Sequence, residues 1–135
     1  MQVACAASGA PIADRLRTFA RAAAGATTEV TLRIVGAAEG RRMNRAYRGR
    51  RNPTNVLAFS YDRRRGDIVL CHPVVAREAR AQGSTLEAHY AHLVVHGLLH
   101  LRGYHHERSA DARRMQKLES QILARLGYRD PYAVE

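Results

Sequence analysis

Six of the seven histidines of this 135-residue chain fall between positions 89 and 106. His96 and His100 are four residues apart, so on a helix their imidazoles project from one face, one turn apart. That spacing allows two ring nitrogens to bind one metal ion, and zinc accepts imidazole nitrogens at about 2.0–2.1 Å. The residue types and their spacing therefore predict two ligands of a metal site.

The third ligand must come from outside this pair. His92 lies on the same helical face, but eight residues separate it from His100, about 12 Å of helix, which is too far for one ion. Gly103 can adopt a positive φ and turn the chain back, which makes the two histidines that follow it the candidates. The complete spacing, H-x3-H-x2-G-x2-H, is that of metzincin zinc sites, and it selects His106.

Three protein ligands leave a fourth coordination position open, which is typical of a catalytic zinc rather than a structural one. Zinc peptidases carry a glutamate general base directly after the first histidine, but this chain has Gly97 there, followed by two leucines. None of these side chains can carry a proton. The sequence therefore predicts one catalytic Zn²⁺ ion per chain and argues against a peptidase, although three imidazoles also suit nickel or copper.

The net charge is +10, from 22 basic and 12 acidic side chains. This favours an anionic partner such as nucleic acid, although arginine- and alanine-rich usage also arises from coding bias. The cations are concentrated in two stretches, of which the first contains no acid. These stretches contain Arg41, Arg42, Arg45, Arg48, Arg50 and Arg51, and then Arg63, Arg64 and Arg65.

The hydrophobic periodicity and the positions of glycine and proline predict the elements that must position these residues. Length and composition are those of one domain over residues 1–135. Mixed strands and helices predict an α/β or α+β fold with a small mixed sheet. In chain order we expect a strand over 1–6, a helix over 11–25, a strand over 29–35, a helix over 37–48, strands over 56–61 and 67–71 joined as a hairpin, and helices over 73–82, 84–101 and 109–127.

Local signals complete this description. Ser84 stands three residues before Glu87, the spacing of a capping box, and Ser109 is the predicted N-cap of the last helix.

Cys5 and Cys71 are too few for a disulfide framework and are expected to be reduced, buried thiols. No apolar run approaches the ~20 residues of a membrane span, and the N-terminus does not resemble a secretory signal. We therefore expect a cytoplasmic protein.

Two blocks of the sequence are similar to those of a known family. His96–His106, HGLLHLRGYHH, resembles the H-G-x-L-H-L-x-G-Y-D-H block of the YbeY family, which are bacterial zinc-dependent single-strand endoribonucleases. Tyr47–Ser60, YRGRRNPTNVLAFS, resembles the family's Y-R-G-x-x-x-P-T-N-V-L-S-F. Shorter matches at 66–68, 87–89 and 126–128 extend the resemblance over about residues 29–132.

The resemblance implies a four-stranded sheet packed against several helices, with a metal site on a helix of the C-terminal half and the loop after it. The family's zinc histidines fall on His96, His100 and His106, the set that the spacing selects. The family's arginine implicated in RNA cleavage falls on Arg48. The implied activity is that of an endoribonuclease, a hydrolase of phosphodiester bonds, in rRNA processing. This means 16S rRNA 3′-end maturation and ribosome quality control in particular, with rRNA and the ribosome as partners.

On this reading the other arginines of the two stretches contact RNA phosphates, which positions RNA without reading its sequence. One departure from the family lies in the zinc block, where the family's aspartate is replaced by His105, and this leaves open that His105 is the third ligand. The general base is not identified, since His105, His92 or a metal-bound hydroxide would serve. The alternative function is a non-catalytic ribosome-assembly factor with a structural zinc. A monomer is expected by default.

Overall fold

The computed structural model describes residues 1–5, 9–48, 54–104 and 108–133, without the side chains of Cys5, Tyr47 and Arg48. Each element lies within two residues of its predicted bounds. In chain order the elements are β1 (Gln2–Cys5), α1 (Ala13–Ala23), β2 (Glu29–Val35), α2 (Ala37–Arg48), β3 (Val56–Ser60), β4 (Arg65–Cys71), α3 (His72–Gln82), α4 (Leu86–Leu101) and α5 (Ser109–Arg125).

The four strands form one mixed sheet in the order β1-β2-β4-β3. β2 pairs parallel with both β1 and β4, while β3 and β4 form the predicted antiparallel hairpin. β4 begins at Arg65, two residues earlier than predicted, because Arg65 pairs with Glu29 of β2. The predicted α/β or α+β class, with a four-stranded mixed sheet and several helices, is confirmed.

The two faces of the sheet pack against different helices, because successive strand residues point to opposite sides. On one face, Leu32 and Ile68 belong to the main core, which they share with α1, α4 and α5. On the other face, Val35 and Val69 form a smaller cluster against which Met43 of α2 packs. Helices α2 and α4 therefore lie on opposite faces of the sheet.

Helix α4 carries the histidines and is buried along most of its length. Its N-cap is Thr85, whose hydroxyl accepts a hydrogen bond from the Ala88 amide at 3.1 Å. The predicted cap at Ser84 is wrong, because the Ser84 hydroxyl donates to the Thr85 carbonyl instead. The predicted cap at Ser109 is also wrong, since Ser109 is the first residue of α5 and follows Arg108 at the cap position.

The C-terminus of α4 turns at Gly103 as the sequence predicts. Gly103 has a φ of 94°, and its amide donates to the His100 carbonyl at 3.0 Å. The Tyr104 amide donates to the Leu99 carbonyl at 3.0 Å. This pair of bonds is a Schellman motif, which ends the helix and redirects the chain.

No helix within the described ranges has the length and apolar character needed to cross a membrane. Cys71 is buried, as predicted for a structural thiol, and burial raises its pKa. The side chain of Cys5 lies outside the described residues.

Gly66 lies where β4 passes beneath the last turn of α4. A Cβ atom at this position would be 2.8 Å from Leu101 Cδ1 and 2.8 Å from the Phe59 carbonyl oxygen, which belongs to the sheet backbone. We expect Gly66→Ala to lower the free energy of unfolding by about 1–3 kcal/mol through overpacking, measured by urea denaturation. At Gly36 a Cβ would meet nothing within 4 Å. Gly36→Ala is the control, and its free energy of unfolding is expected to fall by less than ~1 kcal/mol. An equal decrease in the two variants would contradict the overpacking at Gly66.

Candidate metal centre and active site

His96 and His100 meet on the solvent side of α4. Their Nε2 atoms are 3.0 Å apart, and both side chains are partly exposed. Two nitrogens bound to one tetrahedral zinc ion at 2.0–2.1 Å would be separated by about 3.3 Å, so the rings need to move little to hold an ion between them. The structure brings together the pair that the sequence predicts as ligands.

Glu119 of α5, which the sequence spacing does not predict, joins this pair to form a histidine cluster with His92. The residue is 1% exposed. His96 Nδ1 donates to Oε1 at 2.8 Å, and His92 Nε2 donates to Oε2 at 2.9 Å. The hydroxyl of Tyr132, in the segment after α5, donates to Oε2 as well. One buried carboxylate therefore joins α4, α5 and the C-terminal segment.

The ionisation of Glu119 determines the state of the His96 ring. Burial raises the pKa of the Glu119 carboxyl, but the hydrogen bonds from His92, His96 and Tyr132 together outweigh burial and lower the pKa to about 2. An ionised carboxylate can only accept hydrogen bonds, so His96 Nδ1 carries a proton. In the neutral ring Nε2 then holds the lone pair, directed toward His100, which is the state that binds a metal ion.

A different group in the same cluster also offers ligand atoms. One atom each from His92, His96 and Glu119 lies within 4.8 Å of the others. An ion held there would have to replace the hydrogen bonds that these side chains already make. The Glu119 side chain is also buried, whereas His96 and His100 are partly exposed. A substrate can therefore reach an ion between His96 and His100 more easily than an ion held by Glu119, and this favours the His96/His100 pair as the metal site.

The sequence did contain a signal for Glu119. The buried side of α5 comprises Met115, Glu119, Ile122 and Leu123, which recur at the spacing of an apolar helical stripe. Acids are almost never fully buried unless they are paired. A glutamate inside that stripe therefore indicates partners on a neighbouring helix.

The position after the first histidine faces the core. A Cβ at Gly97 would lie 3.1 Å from Ile68 Cδ1 and Cγ2, so α4 rests directly on β4 at this point. A glutamate at this position would enter the core rather than the histidine cluster. The structure thus gives a packing reason for the glycine that distinguishes this helix from that of a zinc peptidase.

Other predicted site residues fall outside the description. His106 and its alternative His105 lie outside the described residues, as do Arg50 and Arg51. Arg48 is the last residue of α2, but its side chain is likewise outside the description.

The remaining arginines occupy two exposed places. Arg41, Arg42 and Arg45 are exposed on α2, on the opposite face of the sheet from α4. Arg63, Arg64 and Arg65 are exposed at the turn of the β3–β4 hairpin. The Arg65 side chain is held by the Asp62 carboxylate at 2.8 Å. Gly66, the residue after Arg65, packs beneath the last turn of α4. The hairpin turn therefore lies close to the C-terminal end of that helix, which carries His100.

His89 belongs to a separate, structural contact. It is 4% exposed, and its Nε2 lies 2.9 Å from Glu78 Oε1. Glu78 also accepts a hydrogen bond from Asn55 Nδ2 at 3.0 Å. These two hydrogen bonds connect the residue before β3 to α3 and α4.

Comparison with known proteins agrees with this architecture. The family model for Endoribonuclease YbeY matches residues 10–127. Endoribonuclease YbeY of Aromatoleum aromaticum is 56% identical over 91% of this chain and 82% of its own length. That of Methylobacillus flagellatus is 52% identical over 93% and 86%. A solution structure of a Thermotoga maritima protein shares the fold, with a TM-score of 0.62 at 22% identity over 98% of this chain and 99% of its own. The chain therefore belongs to the endoribonuclease YbeY family.

Proposed function

We propose that this protein is a zinc-dependent endoribonuclease that cleaves single-stranded RNA during rRNA processing, in particular at the 3′ end of 16S rRNA, and in ribosome quality control. Family membership supports the nuclease activity, since the matching relatives are named Endoribonuclease YbeY. The observation that carries the metal part is the approach of His96 Nε2 to His100 Nε2 at 3.0 Å. RNA as substrate also agrees with the net charge of +10.

The proposed ligands of one Zn²⁺ ion are His96, His100 and His106. The two described ligands fit this role because their ring nitrogens already face each other, and because His96 donates its other nitrogen to a carboxylate. Because the three imidazole ligands are neutral, the ion would keep its full positive charge. When bound, zinc supplies a Lewis acid for a phosphodiester oxygen.

Arg48 is the proposed catalytic arginine. Its guanidinium can hold a non-bridging phosphate oxygen through two N–H donors and stabilise the charge that develops during cleavage. The surrounding chain supplies phosphate contacts that align the RNA. The proposed contacts are Arg63, Arg64 and Arg65 at the hairpin turn, and Arg41, Arg42, Arg45, Arg50 and Arg51 on α2 or directly after it in the sequence.

We also propose that residues 1–135 act as one catalytic domain and as a monomer in the cytoplasm, where rRNA is available. Shared packing of α1, α4, α5 and the sheet in the main core supports the single domain. With few aromatic side chains to read bases (6% of residues), the choice of cleavage site is assigned to the ribosome or to a bound protein.

Arg48→Ala tests the proposed catalysis. We expect this variant to cleave a single-stranded rRNA fragment about 10²–10³-fold more slowly, the usual loss for one charge-stabilising donor, at unchanged zinc content. Initial cleavage rates at matched zinc content measure the effect. Arg80→Ala is the control, because Arg80 is an exposed helical arginine outside both stretches.

Two results would count against the proposal. Equal cleavage by Arg48→Ala and the wild type would remove Arg48 from the catalytic machinery. No cleavage by zinc-loaded wild type, together with tight rRNA binding, would favour the ribosome-assembly factor with a structural zinc.

A further inference from the structure

We propose that Glu119 and Tyr132 are positioning residues for the metal ligand His96. Glu119 holds the imidazole in the orientation and tautomer that a metal ion requires, and Tyr132 shields the carboxylate from water. This inference rests on the proposed zinc function. Tyr132 lies beyond the stretch 10–127 that matches the family model, so the C-terminal segment adds a residue to the site that the matched stretch does not contain.

The contact between Glu119 and His96 has the geometry that this role requires. Oε1 accepts from His96 Nδ1 at 2.8 Å, while His96 Nε2 is directed to His100 at 3.0 Å. A histidine that binds a metal usually donates its other ring nitrogen to a carboxylate or carbonyl, which fixes the ring and increases its basicity. His96 therefore directs Nδ1 toward Glu119 and Nε2 toward the proposed position of the ion.

The burial of Glu119 argues against a purely structural role. Transfer of a carboxylate out of water costs several kcal/mol, and an apolar side chain of similar volume often stabilises such a position better. The flanking positions of the same stripe, Met115 and Ile122, are apolar and buried. A charge retained in this stripe, with both oxygens directed at histidines of α4, indicates a function for the charge itself.

Tyr132 reaches Glu119 because the segment after α5 folds back. Asp130 Oδ1 accepts hydrogen bonds from Ser120 Oγ at 2.7 Å and from the Tyr132 amide at 2.9 Å. The Tyr132 ring then lies edge-on to His92, with 5.5 Å between the ring centroids, and its hydroxyl donates to Glu119 Oε2. Tyr132 itself is 37% exposed, so its ring forms the outer surface over a carboxylate that is almost entirely buried.

The test is the zinc dissociation constant, measured by competition with a chromophoric chelator. We expect Glu119→Gln, which keeps the size of the side chain but accepts fewer hydrogen bonds, to weaken zinc binding about 10–100-fold. Tyr132→Phe is expected to weaken it less, about 3–10-fold and below the usual range for a direct partner of a ligand, because the Tyr132 hydroxyl contacts Glu119 and not the ligand itself. Circular dichroism and thermal unfolding establish that each variant is folded.

Two control variants lose comparable contacts elsewhere. Glu78→Gln changes the other carboxylate paired with a histidine of α4, and Tyr128→Phe removes a hydroxyl that accepts a hydrogen bond from Arg15. Both controls are expected to bind zinc within about twofold of the wild type, well below the 10–100-fold expected for a partner of a metal ligand.

A second measurement, on the metal-free protein, separates positioning from stability. Long-range ¹H–¹⁵N spectra report which nitrogen of His96 is protonated. We expect Nδ1–H in the wild type and in Glu78→Gln, and a mixture of tautomers in Glu119→Gln. A role of Glu119 in folding alone would leave the His96 tautomer unchanged.

The outcomes distinguish this inference from the proposed function. If wild type binds zinc tightly and Glu119→Gln binds it equally well, the positioning role is wrong and the zinc proposal stands. If Glu78→Gln loses as much affinity as Glu119→Gln, the effect is one of general stability and the positioning role is again wrong. If wild type does not bind zinc, both proposals fail. If Glu119→Gln does not fold, Tyr132→Phe decides, and unchanged affinity in that variant overturns the role of the C-terminal segment.

Discussion

His100→Ala is expected to weaken zinc binding by at least ~100-fold, more than the loss of a hydrogen-bond partner of a ligand, and to abolish RNA cleavage. The physical reason is that His100 Nε2 lies 3.0 Å from His96 Nε2, so the alanine variant lacks one of the two facing nitrogens between which the proposed ion is held. Zinc content after gel filtration and the zinc dissociation constant measure the effect.

His92→Ala is the matched comparison, because it distinguishes two groups that share His96. In the alternative group, His92 would bind the ion together with His96 and Glu119, and His100 would not contribute. We expect His92→Ala to keep zinc affinity within about tenfold, the lower limit for a partner of a ligand. The reverse pattern, tight binding in His100→Ala and loss in His92→Ala, would assign the metal to the alternative group.

Gly97→Glu is expected to lower the free energy of unfolding by at least about 3 kcal/mol, because it buries a carboxylate against the sheet without a partner. Already a Cβ at this position would lie 3.1 Å from two atoms of Ile68. Chemical denaturation measures the change. The variant recreates the H-E-x-x-H spacing of a zinc peptidase, yet we expect no peptidase activity, since the glutamate would point away from the cluster.

Gly97→Ala separates the charge from the size of the added side chain. An alanine gains up to about 1 kcal/mol in helix propensity, which offsets part of an overpacking cost of about 1–3 kcal/mol. We expect a net loss no greater than about 2 kcal/mol. A Gly97→Glu variant as stable as the alanine variant would contradict the inward orientation of this position.

The fold was predictable because its signals are local. Alternating hydrophobicity over Glu29–Val35, and the glycines that end the helices, locate the elements within two residues. The caps were the exception, since Ser84 and Thr85 are adjacent and both have hydroxyls that can cap a helix. Only the observed backbone, in which Thr85 has a φ of −70° and ψ of 153°, distinguishes them.

The site was predictable only where its residues lie on one helix. His96 and His100 approach each other because of an i, i+4 relation, which the sequence shows directly. Glu119 and Tyr132 reach the cluster from 23 and 36 residues downstream of His96, through the packing of α5 on α4 and the return of the C-terminal segment. Such contacts depend on tertiary structure, so no regular residue spacing in the sequence predicts them.

RNA cleavage by this protein is expected to depend on an ion held by the histidine pair. The most direct measurement is the cleavage rate of single-stranded rRNA by metal-stripped wild type before and after addition of one equivalent of zinc, with His100→Ala treated identically to detect contaminating ribonuclease. We expect at least ~10³-fold slower cleavage without metal, the scale of several kcal/mol of charge stabilisation, with recovery in wild type and none in His100→Ala. Cleavage by stripped wild type at the full rate, or recovery in His100→Ala, would contradict this dependence.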